Sequence, residues 1–220
     1  MNTKKDIKKS SETILLTVGS LLLIISFVLF HYEKIVEVSN SINSSIQTEI
    51  FKEQTSVNNI SVNVNVNYLT EEEQKQNTNK NDYKPNYIGF LEIDKIHLKQ
   101  GFLPIDNYYN HVDYNIEVLK ISDFPDVING NLILASHSGN SSISYFRNLY
   151  KLDIGDIAKV YYKSKTYKYQ IVNIYKENKD GSIGIYRDSN KTTLTLVTCS
   201  KNDKLHQTVY ILELIGVESY

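Results

Sequence analysis

From Pro85 onward the chain is ruled by alternation. "NYIGFLEI" (Asn86–Ile93), "IHLKQGFLPI", "NGNLILASHSGN", "TTLTLVTC" and "HQTVYILELI" are short runs rich in aromatic and β-branched residues, punctuated by Gly, Asn, Asp and Ser. A period of two belongs to the β-strand, whose successive side chains point to opposite faces. "IAKVYYKSKTYKYQIVNIYKE" holds two such runs about a "KSK" turn and reads as a hairpin. "SISYFRNLYKLDIGD" breaks the period. Its Ile143, Phe146 and Leu149 stand at helical spacing, which predicts one short helix ending near Gly155. Seven or eight strands with one or two short helices make residues 85–220 a mainly β domain, a barrel or a sandwich.

The N-terminal part obeys different rules. "MNTKKDIKKSSE" carries Lys4, Lys5, Lys8 and Lys9, and the run Thr13–Phe30 that follows has no charge. At 1.5 Å per residue such a run just covers the hydrocarbon core of a bilayer. Lysines ahead of it orient the N-terminus inward. The run ends in bulky residues, "FVLFHYEKIVEV", where a signal peptidase needs small ones. The expectation is a basic cytoplasmic tail (1–12), a transmembrane signal anchor (13–30), a helical or disordered tether (31–84) and an extracellular catalytic domain (85–220). The tether contains "SVNNISVNVNVNYLTEEEQKQNTNKND", too polar to repay the entropy of ordering it, although "VNVNVN" alternates like a short edge strand.

Lys and Arg (24) nearly balance Asp and Glu (25), and no basic patch interleaved with aromatics signals nucleic acid. A single cysteine excludes a disulfide framework and a multi-cysteine zinc site. That cysteine, Cys199, closes "TLTLVTC" just before the turn-like "SKND". Alternation sends Leu194, Leu196 and Thr198 one way and Thr195, Val197 and Cys199 the other. A thiol at a strand end suits a nucleophile better than a structural role, provided a base or a cation stands by. His137, in "LILASHSGN", also ends an apolar strand, so two strand ends can bring the pair to one rim. His31, His97, His111 and His206 lie in less suitable surroundings. Thr198 and Ser138 flank the pair, and each could bond the site or only satisfy its own strand end.

These residues resemble the sortases, membrane-anchored cysteine transpeptidases of Gram-positive bacteria. "TLTLVTC" resembles their TLxTC signature and "NLILASHSGN" their histidine strand. "YFRNLYKLDIGDIAKVYY" and "IGFLEIDKIHLKQGFLPI" resemble the flanking elements, so that the likeness runs from about Tyr87 to Ile215. The resemblance implies an eight-stranded sortase-type β-barrel. It also implies that Cys199 attacks the threonine carbonyl of an LPxTG-like sorting signal and forms a thioacyl-enzyme. An amine of the cell wall or of a pilin then resolves it, with His137 as general acid and base. No metal or organic cofactor is needed.

One departure stands out. Sortases carry an arginine on the last strand, and here "CSKNDKLHQTVYILELIGVESY" has none. Gln207 is nearest to that position. Either Gln207 serves the oxyanion or substrate, or a basic residue (Arg147, Arg187, Lys201 or Lys204) reaches in, or the site is impaired. Hence the alternatives are a hydrolytic cysteine peptidase and a catalytically weak sortase-like domain that binds protein tails. A serine hydrolase built on Ser136 or Ser138 lacks the G-x-S-x-G elbow. Within that resemblance, the absence of a long N-terminal lid and of tryptophan argues against a lidded pilin polymerase and for an anchoring enzyme, and the absence of a long helical insertion before the cysteine strand disfavours the subclass that carries one.

Overall fold

The computed structural model describes residues 15–28, 31–32 and 85–219. The chain divides into two compact units, Met1–Asn40 and Ser41–Tyr220. In the first, residues 15–28 form an α-helix, α1, and residues 31–32 are helical. Leu15, Leu16, Leu22, Leu23 and Phe27 are exposed on it. Among the described residues no helix is long and apolar enough to cross a membrane. The basic tail, both ends of the expected anchor, nearly all of the tether and its "VNVNVN" stretch lie outside the described residues.

The second unit is mainly β, as the alternation predicts. Its strands are β1 (Gly89–Ile93), β2 (Leu98–Phe102), β3 (Glu117–Val118), β4 (Asn131–Ala135), β5 (Ile157–Tyr162), β6 (Lys165–Asn178), β7 (Thr193–Cys199) and β8 (His206–Ser219). They form one sheet in the order β2-β1-β5-β6-β8-β7-β4-β3. A bridge between Phe102 and Ile116 brings its two edges together, so the sheet is a nearly closed eight-stranded barrel. Lys163 and Ser164 both have positive φ (47° and 58°), as a two-residue hairpin turn matched to strand twist requires, and they join β5 to β6. β3, with two residues, was too short to show a period.

The expected helix in "SISYFRNLYKLDIGD" is instead a series of turns ending in a single 3-10 turn, Leu149–Lys151. Ser144, Arg147 and Leu149 donate their amides three residues back, to Ser141, Ser144 and Phe146, while the Phe146 amide leaves the local ladder for the His137 carbonyl at 3.1 Å. The Ser141 and Ser144 hydroxyls bond each other at 2.8 Å. Serines that find local partners compete with the helix. Phe146 and Leu149 are nevertheless fully buried, so the spacing located core residues correctly and misjudged the backbone.

Inside the barrel lie Leu134 of β4, Tyr169 of β6, Leu194 and Leu196 of β7, and Tyr210 and Leu212 of β8. Those side chains set the phase of the opposite, outer face. There β4 offers Ile133 and Ala135, β7 offers Thr195, Val197 and Cys199, and β8 offers Gln207, Val209 and Ile211. β6 changes phase partway. A bulge lies between Ile171, opposite Leu212, and Asn173, opposite Ile211. One extra residue reverses the facing of everything after it. Tyr167, Tyr169 and Ile171 therefore face the core, whereas Tyr175 and Glu177 lie opposite Val209 and Gln207, on the outer side.

Candidate active site

β4 and β7 run parallel, with Asn131 opposite Thr193 and Ala135 opposite Val197. Two residues after that last pair, Cys199 closes β7 on the outer face, and His137 stands two residues beyond the end of β4 in the loop that follows. Side chains fix this register as firmly as the ladder. The Asn131 amide oxygen accepts from Thr193 Oγ1 (3.0 Å) and from Thr195 Oγ1 (2.9 Å), all three residues buried. Nearer the rim, Thr198 Oγ1 donates to the Ser136 carbonyl at 2.8 Å. The threonines of "TLTLVTC" are therefore ties between the histidine strand and the cysteine strand.

His137 is half-exposed, and its Nε2 lies 3.2 Å from Asp113 Oδ1. Asp113 in turn takes its position from His111, whose Nδ1 accepts its amide at 3.2 Å. A carboxylate on one ring nitrogen orients the imidazole and leaves Nδ1 for proton exchange. Cys199 is partly buried and unpaired. Lys179, in the first position after β6, donates from Nζ to Cys199 Sγ at 3.3 Å. An ammonium in contact with sulfur stabilises negative charge there.

Gln207 is the cross-strand partner of Cys199. Its amide donates to the Ser182 carbonyl at 2.7 Å, in the connection between β6 and β7, and to the Asn178 carbonyl at 3.4 Å, at the end of β6. That connection folds against β6, where Tyr175 Oη donates to the Gly184 carbonyl (2.8 Å) and accepts from the Tyr186 amide (2.9 Å). It contains no helix.

A small pocket beside Cys199 is lined by Ser138, Arg147, Thr198, Lys201 and Tyr210, among others. Ser138 and Cys199 thus line the same pocket, while the Thr198 hydroxyl is committed to its strand tie. Arg147 spends its guanidinium on the Ser144 and Ser141 carbonyls, closing the loop after His137. Lys201 Nζ sits 3.4 Å over the Tyr150 ring. Arg187 bonds the Asp188 and Lys191 carbonyls of its own loop. Lys204 is exposed in the turn before β8. Ser136 is buried, with its hydroxyl toward the Ile143 carbonyl, in no position to act as a nucleophile.

Sequence reasoning missed Asp113 and Lys179. Asp113 stands in the polar stretch "DNYYNHVDYN", which has no period to place it. Lys179 lies beyond the bulge, where simple alternation from Tyr169 assigns the wrong face.

The barrel has counterparts among known proteins. The profile of the sortase domain matches residues 91–213. The structure is similar to that of a sortase D5 transpeptidase of Clostridium perfringens, at 25% identity and a TM-score of 0.50, over 68% of this chain and 91% of that one. It is similar to sortase C1 of Streptococcus agalactiae, at 25% identity and a TM-score of 0.52, over 68% and 78%. It is also similar to sortase A of Listeria monocytogenes, at 17% identity and a TM-score of 0.52, over 61% and 90%. No curated protein matches the chain.

Proposed function

The chain belongs to the sortase family, and on that premise we propose that it is a cysteine transpeptidase in which Cys199 is the nucleophile and His137 the general acid and base. The observation that supports this reading is the parallel register of β4 and β7, whose last pair, Ala135 and Val197, stands two residues before His137 and Cys199. Cys199 attacks as the thiolate, its proton having passed to His137, and Sγ bonds the carbonyl carbon of a threonine in an LPxTG-like sorting signal. The tetrahedral adduct expels the following amine, which takes a proton from His137, and a thioester to Cys199 remains. An incoming amine then attacks the thioester, gives a proton to His137 and releases the thiolate. One imidazole serves both halves of the exchange because the second is the first in reverse. Asp113, bonded to Nε2, keeps the ring oriented while Nδ1 carries the proton.

The donor is a surface protein bearing the signal. The acceptor is an amine of a cell-wall precursor or of a pilin. The apolar run Thr13–Phe30 behind its lysines, and the exposed leucines of α1, favour a single-pass membrane anchor with the barrel outside the cell. Gln207 supports the site at one remove, by holding the Ser182 and Asn178 carbonyls.

The absence of arginine from β8 is the observation behind a second reading, a domain that binds sorting signals without cleaving them. A peptide-transfer assay separates the two. An LPxTG-like peptide and a glycine or lysine amine should yield an amine-capped product with wild type and none with Cys199→Ala. Cys199→Ala and wild type that bind the peptide equally, with no product from either, would favour the binding domain.

A further inference from the structure

We propose that Lys179 is a catalytic residue of this site, an ammonium that pairs with the Cys199 thiolate and follows its charge to the substrate oxygen. The role in acyl transfer rests on the transpeptidase reading above, whereas the pairing with sulfur does not. Lys179 Nζ contacts Cys199 Sγ at 3.3 Å. Other lysines of the sheet and its connections behave differently. Lys168, Lys176 and Lys191 lie on the carboxylates of Glu218, Asp203 and Glu213. Asp180, the acid next to Lys179 in sequence, is occupied by the amide and hydroxyl of Ser182. Lys179 thus brings its charge to the sulfur rather than to a neighbouring acid.

Its approach follows from the sheet. The row Glu177, Gln207, Cys199 crosses β6, β8 and β7. Lys179 lies two residues past Glu177, with its amide on the Leu205 carbonyl at 2.8 Å. Two strand spacings separate β6 from β7, roughly 10 Å, a gap that a four-methylene stem starting diagonally can cross. The strand between them offers no cation at this point, only the amide of Gln207. The charge absent from the last strand is therefore supplied from the end of its neighbour.

Sγ forms a bond to the carbonyl carbon, and the C=O π pair moves onto oxygen. The ammonium keeps its protons and changes partner from sulfur to the oxyanion. Collapse of the adduct breaks the C–N bond, and the amine leaves with the proton from His137. A lysine suits this relay, because its three donors rotate on a flexible stem and act as a point charge rather than a fixed fork.

The test uses the full chain as wild type, Lys179→Gln and Lys179→Arg, with two readouts: turnover of an LPxTG-like peptide and alkylation of Cys199 by iodoacetamide at neutral pH. Lys179→Gln should lower kcat at least about tenfold, the low end for loss of one charge-stabilising donor, with KM changed by less than about twofold. It should slow alkylation about as much, and Lys179→Arg should stay within about threefold of wild type on both readouts. Lys179 is exposed, so melting temperatures should coincide. Wild-type turnover and alkylation in Lys179→Gln would overturn the proposal. If no peptide is turned over by wild type, the transpeptidase reading fails by itself. Alkylation then still decides: slowed in Lys179→Gln it upholds the pairing, and unchanged it refutes it.

Discussion

His137 Nε2 lies 3.2 Å from Asp113 Oδ1, and in the proposed mechanism that contact leaves Nδ1 for proton transfer. In that mechanism Asp113 is a positioning residue. General acid–base catalysis contributes on the order of 10²- to 10⁴-fold, and losing only the ring's orientation should forfeit a part of it. Asp113→Ala is expected to lower kcat about threefold to tenfold, with KM and melting temperature unchanged, as steady-state kinetics and a thermal scan would report. A rise in KM with constant kcat would assign Asp113 to substrate binding instead. At this scale the placement of Cys199 and His137 near strand ends could be read from the sequence, because each closes a run whose period is visible. Asp113 could not, because contact across a loop leaves no periodic trace.

Between β4 and β7 the ladder is reinforced by side chains, and the site depends on that. One Asn131 oxygen satisfies two buried hydroxyls, those of Thr193 and Thr195. Its removal leaves the Thr195 hydroxyl without this acceptor and Thr193 with only the long contact to the Gly130 carbonyl at 3.5 Å, at about 1–3 kcal/mol for each weakened or lost bond. Asn131→Ala should therefore lose roughly 2–4 kcal/mol in urea unfolding, well above the effect of an exposed Asn→Ala. A change below about 0.5 kcal/mol would show that the clamp is dispensable. Strand assignments were legible from alternation wherever a strand was long, and the hairpin at Lys163–Ser164 from its length. Two features were hidden. The helix expected around Phe146 became turns because the Phe146 amide is claimed by the His137 carbonyl, a contact that local spacing cannot reveal. The bulge after Ile171 re-aimed the end of β6, and with it Lys179.

Across the whole molecule, a barrel whose interior is filled leaves its chemistry to the outer wall. Tyr169 is a fully buried core residue, and its hydroxyl finds no partner among the described residues. Burial pushes that phenol upward, out of reach of ionisation at neutral pH. An unpaired buried hydroxyl is a standing cost, so Tyr169→Phe should stabilise the barrel by about 1 kcal/mol, seen as a higher melting temperature with unchanged turnover. A loss of stability would reveal a partner for the hydroxyl. The central claim is that this barrel places a cysteine where a peptide carbonyl can be captured. Intact-protein mass spectrometry of the purified chain, mixed with a panel of LPxTG-like peptides, tests it most directly. The account predicts a mass increase equal to the peptide's N-terminal part through threonine, on wild type and not on Cys199→Ala. A folded protein whose Cys199 alkylates freely yet gains no such adduct from any peptide in the panel would contradict it.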